Sequence, residues 1–445
     1  MANNELRTQM QDEAVQTAID NGNLIVEWGT GVGKSRVAVK LAERLYDEGY
    51  RRIALFVTET AHKKNWRNEF VDVLGDKGAR IFDSMTVECY ASLEKYAGTV
   101  WHLLIFDEAH HLRSDNRTSY LATMMSEHVL CLSATLNERG DADLLSTTLR
   151  ETFGDFEKRR FGIQKAIDNK IIGEPVVHVH VINALTLGGL HSAVLDWGWK
   201  TARRKLFGNV DDFMRLADPE KGIKAGTMRV TDSFMNLYHL LDTICENAKN
   251  EFLDANRELN ENPNPTEKEI KKVALLKTRM LQAGGKRKKL IANAKTSYAM
   301  QLLDTELKGK KYICFCNDVE QEKILGDESC INSEKGKENQ RIIDAFNDGR
   351  INSIFAVGMA QEGLNLKGIE TGLIVQLSGK ERVFIQKFGR ALRSATPEQH
   401  VIVLNHTQDA KYFKIAFEGV AAKYVKYRHV ENFGMDAGNS QALRM

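Results

Sequence analysis

Seven residues, Gly29-Thr30-Gly31-Val32-Gly33-Lys34-Ser35, follow the apolar run Leu24, Ile25, Val26 and have the makings of a triphosphate cradle. A glycine-rich turn between a buried strand and a helix start aims backbone N–H groups at one point, with the Lys34 ammonium and the Ser35 hydroxyl beside them. Glycine-lysine-serine strings also arise by chance in surface loops. Here, however, Val37, Ala38, Leu41, Ala42 and Leu45 follow at helical spacing, so strand, turn and helix come in the order a cradle needs. Downstream, the apolar run Leu103–Phe106 ends in Asp107-Glu108-Ala109-His110. Two adjacent acids at a strand terminus are costly to bury unless a cation or a proton-transfer task retains them. Mg²⁺ is the natural partner, with Asp107 holding its water shell and Glu108 placed to take a proton from an attacking water.

Other residues extend this chemistry. Gln11 lies just upstream of the glycine-rich turn, where its amide can match the donor and acceptor on the edge of adenine, or can simply be solvated. The strand Val129–Leu132 runs into Ser133-Ala134-Thr135, two small hydroxyl residues able to relay the state of a phosphate site to another surface. The segment from Thr58, with Thr60, Lys63 and Trp66, suits a polyanionic backbone at a strand's carboxyl end. It could equally be an ordinary amphipathic helix with Trp66 and Phe70 in the core. The six cysteines lack paired metal-ligand spacing, and Cys314 and Cys316 share one strand face as core residues. His178 and His180 alternate with valines and read as one face of a strand rather than as a metal site.

Placing these groups requires several elements and more than one core. A chain of 445 residues, 42% hydrophobic and 27% charged, exceeds the roughly 250–300 residues at which single cores stop growing. The formal net charge of +2 gives no global basic field, so a polyanion has to be held by local patches. The polar first residues and the lack of an apolar run of about 18 residues argue against a signal peptide and a membrane span, and a cytoplasmic protein is expected. A helix from Gln11 buries Ala14, Val15, Ala18 and Ile19, and further strands are expected at Ile53–Val57 and from Val87 to Ser92. Beyond about residue 188 the pattern turns helical, with long stretches near 227–258 and 266–282 divided by Asn262-Pro-Asn-Pro265. Between Thr266 and Lys289 nine Lys or Arg face two Glu, ending in Lys286, Arg287, Lys288 and Lys289. That run is either a solvated helix face or a surface that tracks phosphates. A second αβ pattern begins near Asn293, with strands at Tyr312–Cys316, Ile354–Val357 and Val401–Asn405.

The ordered set GTGVGKS, DEAH and SAT resembles motifs I, II and III of superfamily two helicases and translocases, with Gln11 where that family reads adenine. Asn65-Trp-Arg-Asn-Glu-Phe70 and Tyr90-Ala-Ser-Leu93 resemble the backbone-touching motifs Ia and Ib, so Thr60, Lys63, Tyr90 and Ser92 are candidate nucleic-acid contacts. Cys316–Ile324 resembles motif IV, and Gly358–Leu366 resembles motif V, with Gly363 and Asn365 toward the nucleotide and its ribose hydroxyls. Arg382–Arg393 fits the motif VI pattern Q-x-x-G-R-x-x-R, carried by Gln386, Gly389, Arg390 and Arg393. The two arginines, three apart on a helix, present both guanidinium groups to one target and read as arginine fingers.

The resemblance implies an α/β fold of two RecA-like phosphate-loop lobes with parallel sheets and a mainly helical insertion. The expected boundaries are 1–187 for the first lobe, 188–292 for the basic insertion, 293–424 for the second lobe and 425–445 for a tail. It implies an ATP-dependent motor with Mg²⁺ as cofactor, in which Lys34 holds phosphates, Ser35 and Asp107 hold the metal, Glu108 activates water and Gln386 joins the arginines. His110, Ser133 and Thr135 then carry the coupling. The implied partner is nucleic acid, DNA favoured with RNA open, with room for a protein that supplies specificity. Two alternatives stand beside a strand-separating helicase. One is a duplex translocase, since the Ia and V strings also look like those of Swi/Snf-type remodelling ATPases; the other is an ATP-switched clamp.

Overall fold

The computed structural model describes residues 4–113, 115–134, 136, 144–182, 234–326, 329–332, 334–358, 366–379, 381–391, 398–417 and 424–430. It contains two sheets. The first comprises β1 (Asn23–Trp28), β2 (Ile53–Val57), β3 (Thr86–Cys89), β4 (Val100–Asp107), β5 (Met125–Ser133) and β6 (Glu157–Phe161), in the order β3-β2-β4-β5-β1-β6. All its pairings are parallel. The central strands read as near-continuous apolar runs because helices cover both faces of such a sheet, and Leu24–Val26, Ile53–Val57 and Leu103–Phe106 are buried.

The second sheet comprises β7 (Val176–Ile182), β8 (Tyr312–Phe315), β9 (Cys330–Ile331), β10 (Ser353–Ala356), β11 (Thr371–Ile374), β12 (Glu398–Leu404) and β13 (Val425–Val430), in the order β13-β7-β12-β11-β8-β10-β9. The run from β12 through β11, β8 and β10 to β9 is parallel throughout. The strand carrying His178 and His180, inside the 1–187 span expected for the first lobe, pairs in the second sheet, and the segment after 425 supplies a further strand.

Helix α1 (Asn4–Asn21) begins well before Gln11 and buries Gln11, Ala14, Thr17 and Ala18. Helix α2 (Lys34–Asp47) buries Val37, Ala38, Leu41, Ala42 and Leu45 as their spacing requires. Helix α3 (Thr60–Leu74) follows β2. The strand expected to reach Ser92 stops at Cys89 and gives way to a 3₁₀ segment, Tyr90–Tyr96, whose Tyr90 and Leu93 enter the core. Two long helices, Phe234–Glu261 and Glu267–Asn293, form the hairpin announced by Asn262-Pro-Asn-Pro265. The second starts in a capping box in which Thr266 and Glu269 satisfy each other's backbone N–H, and it continues through Gly284-Gly285 to Asn293.

The chain groups into two compact units. One comprises Met1–His178, Leu307–Val401 and Lys411–Lys426; the other comprises Val179–Glu306, Ile402–Ala410 and Tyr427–Met445. Within the second unit, fully buried Lys295 lies 2.6 Å from the Asp409 carboxylate and donates to the Ile402 carbonyl at 2.9 Å. Among the described residues no helix is long and apolar enough to cross a membrane.

Candidate nucleotide site

Parallel register brings the reactive strand ends to one edge. Asp107 pairs with Leu132, and Leu132 pairs with Val26, so the DEAH acids, Ser133 and the start of the glycine-rich turn leave neighbouring rows. Ligands of parallel α/β sheets bind beyond these carboxyl ends. The turn itself is fixed by close packing. The Gly29 amide donates to the Phe161 carbonyl at 2.8 Å, and a Cβ on Gly29 would come within 2.7 Å of the Ile163 side chain. Gly31 and Gly33 have φ of 88° and 106°, and Gly33 precedes α2 with no side chain to cap it. The positive end of the α2 dipole is thereby left for an anion rather than for a capping oxygen. Lys34, the first residue of the helix, donates its Nζ to the Trp28 carbonyl at 2.9 Å, which folds the ammonium back over the turn.

Gln11 is 1% exposed, and its amide nitrogen has no hydrogen-bond partner among the described residues. A Cβ on Gly33 would lie 2.3 Å from that nitrogen, so the amide rests directly on the loop that glycine opens. A buried, unsatisfied amide costs about 1–3 kcal/mol, which suits a group that waits for a ligand edge. One turn earlier, Arg7 donates to the Ile171 carbonyl at 3.0 Å, and burial together with the charge of Arg36 lowers its pKa. Sequence reading passed over Arg7; its position one turn before Gln11 was the available signal.

The DEAH acids are held from behind. Trp66 is 4% exposed and donates its indole N–H to Asp107 Oδ2 at 2.8 Å, while the Tyr90 hydroxyl donates to the Asp107 carbonyl at 2.7 Å. Of the two readings of Trp66, the core one is correct, with the added role of aiming Asp107. Burial and the neighbouring Glu108 charge push the Asp107 carboxyl up to about 7, against the pull of the Trp66 hydrogen bond and the Lys34 ammonium. A metal cation bound there would displace the proton of such a carboxyl to solvent.

Glu108 sits at φ 49°, in the left-handed region that an L residue adopts at a cost of about 1–3 kcal/mol. The bend turns its carboxylate toward His110, whose Nδ1 lies 3.4 Å from Glu108 Oε2 and 3.3 Å from Ser133 Oγ. His110, 4% exposed, thus bridges the DEAH and SAT segments. Thr135, the other hydroxyl expected there, lies outside the described residues, as do Gly363, Asn365 and Arg393.

The helix Glu381–Ala391 carries Gln386, Gly389 and Arg390 of motif VI. Gln386 is buried at its centre, and Phe384 and Phe388 stack with centroids 5.2 Å apart. Gly389 meets the phosphate loop: a Cβ there would fall 2.4 Å from Thr30 Cβ. The helix backbone reaches the loop at the residue before Arg390, whose side chain lies outside the described set.

The expected nucleic-acid contacts fare differently. Tyr90 is 3% exposed and packs against both Phe56 and Phe106, so it is a core residue. Lys63 pairs with Glu88 at 2.9 Å, a bond that lowers the Glu88 pKa against its partial burial. Thr60 is exposed and Ser92 partly so. In the basic run, Arg287 turns inward to pair with Asp242 and Glu246 of the hairpin's first helix, leaving it 12% exposed, whereas Lys286, Lys288 and Lys289 are only partly buried.

Residues 5–138 match the family model described as type III restriction enzyme, res subunit, and residues 294–395 match the helicase conserved C-terminal domain. An ATP-dependent RNA helicase DRS1 of Mycosarcoma maydis is 26% identical over 93 residues, which is 20% of this chain and 10% of that protein. The ATP-dependent type ISP restriction-modification enzyme LlaBIII, solved bound to DNA, is similar over 96% of this chain and 31% of its own, with a TM-score of 0.52 and 10% identity. The Pyrococcus furiosus Hef helicase domain covers 92% of this chain and 96% of its own at a TM-score of 0.45 and 14% identity. The two family matches, each over less than half of the chain and in this order on two α/β sheets, support a superfamily two helicase-type motor with RecA-like lobes.

Proposed function

We propose that the chain is an ATP hydrolase that couples turnover to movement along nucleic acid, DNA in preference to RNA. The single observation that carries the reading is the approach of Gly389 to Thr30, because a motor needs the second lobe's arginine helix against the first lobe's phosphate loop. The restriction-enzyme model over residues 5–138 favours DNA as the track. The first-lobe residues fit a nucleotide: the orphaned Gln11 amide for the base edge, the uncapped α2 start and Lys34 for the phosphates. Mg²⁺, held through Ser35 and Asp107, would supply positive charge to the phosphate oxygens.

Glu108 accepts the proton of the attacking water from a backbone held at φ 49°. Trp66 keeps Asp107 from rotating away. His110 Nδ1 lies 3.4 Å from Glu108 Oε2 and 3.3 Å from Ser133 Oγ, so a shift of the SAT segment changes the surroundings of the base. Arg390 and Arg393 neutralise transition-state charge; fingers of this kind contribute about 10³ to 10⁵ in rate. Hydrolysis then depends on closure of the two lobes, which ties chemistry to motion.

The test is ATP hydrolysis without nucleic acid and with single-stranded DNA, duplex DNA, forked DNA or RNA, using Lys34→Ala as the blank. Stimulation by a DNA is expected, and strand displacement on that DNA then separates a helicase from a duplex translocase. An unstimulated rate with all four, in a protein that still binds ATP, overturns the motor in favour of a clamp.

A further inference from the structure

A second cluster of ligand-type side chains lies far along the chain from the DEAH acids. His178 of β7 and Glu398 and His400 of β12 converge: His178 Nε2 is 3.1 Å and His400 Nε2 is 3.6 Å from the same oxygen, Glu398 Oε1. The two imidazoles lie nearly parallel, with centroids 4.9 Å apart and planes 21° from each other, and each places its Nε2 near that one oxygen. The other carboxylate oxygen, Oε2, is held by Lys310 Nζ at 2.6 Å.

We propose that His178, Glu398 and His400 form a binding site for a divalent metal ion of the zinc class. Ligands at about 2.0–2.2 Å from a tetrahedral zinc ion stand about 3.3 Å from one another, and the observed separations of 3.1 and 3.6 Å straddle that edge. One donor atom from each of the three residues falls within 4.8 Å of the other two. Two imidazoles and a carboxylate select a borderline ion over Mg²⁺, which prefers oxygen donors alone. His400 is 1% exposed while His178 and Glu398 keep 31% of their side chains accessible, giving the ion an entry path and a fourth position for solvent. Lys310 acts from the outer shell: its hydrogen bond fixes the carboxylate rotamer and leaves Oε1 to the metal.

The strand order places β7 beside β12, so an ion here would pin the strand that follows the first lobe to the second sheet. Nothing in the proposed motor cycle uses these three residues.

The experiment is titration of the full chain, freed of metal by chelation, with Zn²⁺ followed by calorimetry, and with Co²⁺ followed by its visible absorption, which is intense in tetrahedral nitrogen–oxygen sites. We expect about one equivalent bound per chain, with a higher unfolding midpoint in Zn²⁺. His178→Ala, at the more exposed ligand, should weaken binding at least about 100-fold and remove the thermal shift, while circular dichroism checks that it folds. Glu398→Gln should do the same, and Asp107→Asn in the nucleotide site should leave binding intact. Absence of saturable Zn²⁺ binding overturns the proposal, as does binding that survives both His178→Ala and Glu398→Gln, or binding that Asp107→Asn abolishes.

Discussion

Two carboxylates at strand ends, Asp107 closing β4 and Glu398 opening β12, meet opposite surroundings. Asp107 stands beside another acid and is pushed up to about 7; Glu398 is flanked by Lys310 and two imidazoles and is drawn below the ordinary range although burial opposes it. The first site is short of positive charge and offers only oxygen donors, so it suits a hard dication that arrives with a substrate. The second offers nitrogen donors beside its carboxylate, so it suits a resident ion of borderline softness. A carboxylate at a strand end is therefore no site by itself; its neighbours decide which chemistry it can serve.

The contrast can be broken most severely at the base. Glu108→Gln should keep ATP affinity and lower the hydrolysis rate by about 10²- to 10⁴-fold, read by single-turnover hydrolysis beside equilibrium binding. A rate within twofold of the parent would remove Glu108 from that role. The next largest effect belongs to the contact between lobes. Gly389→Ala should force the motif VI helix off Thr30 and cost at least about tenfold in turnover, with nucleotide affinity less affected. Adding Thr30→Gly should recover part of that loss, because it removes the side-chain atoms nearest the new methyl.

A smaller, pH-dependent effect sharpens the electrostatic half of the comparison. Asp107 must be ionised to hold a metal, so turnover should fall as pH drops below about 7. Trp66→Phe deletes the hydrogen bond that lowers this pKa, so the acid limb should move to higher pH while activity near pH 8.5 largely recovers. An unchanged limb would mean that another group governs it. For stability the sign reverses: a carboxyl raised in the folded state favours folding while protonated. Its contribution is lost as pH rises from the unfolded value near 4 through about 7.

The smallest effect concerns the hairpin. Reversing Lys286, Lys288 and Lys289 together should flatten the salt dependence of DNA binding if they track phosphates. Arg287→Glu should instead lower the unfolding midpoint, because it places a third acid against Asp242 and Glu246. An unchanged salt slope would leave the lysines as a solvated face.

Much of the molecule was legible before its fold was known. Leu24–Val26, Ile53–Val57 and Leu103–Phe106 read as buried strands because parallel sheets are covered on both faces, and the residues at their ends stood out as turn or charge against apolar runs. The hairpin was legible because two helix-forming stretches flank Asn262-Pro-Asn-Pro265. Tyr90 was misread because a short strand gives way to a 3₁₀ segment, and nothing local distinguishes an aromatic that turns inward from one that stays out.

By itself the sequence determined the order of the motor's parts, since periodicity, glycine turns and terminal acids are local properties that survive without knowledge of neighbours. The tertiary structure alone decided which side chains share an atom: Trp66 with Asp107, His110 with Glu108 and Ser133, Gly389 with Thr30, and His178 with Glu398 and His400. These partners lie up to hundreds of residues apart, and only strand order and register, settled by packing over the whole chain, bring them within hydrogen-bonding or van der Waals reach.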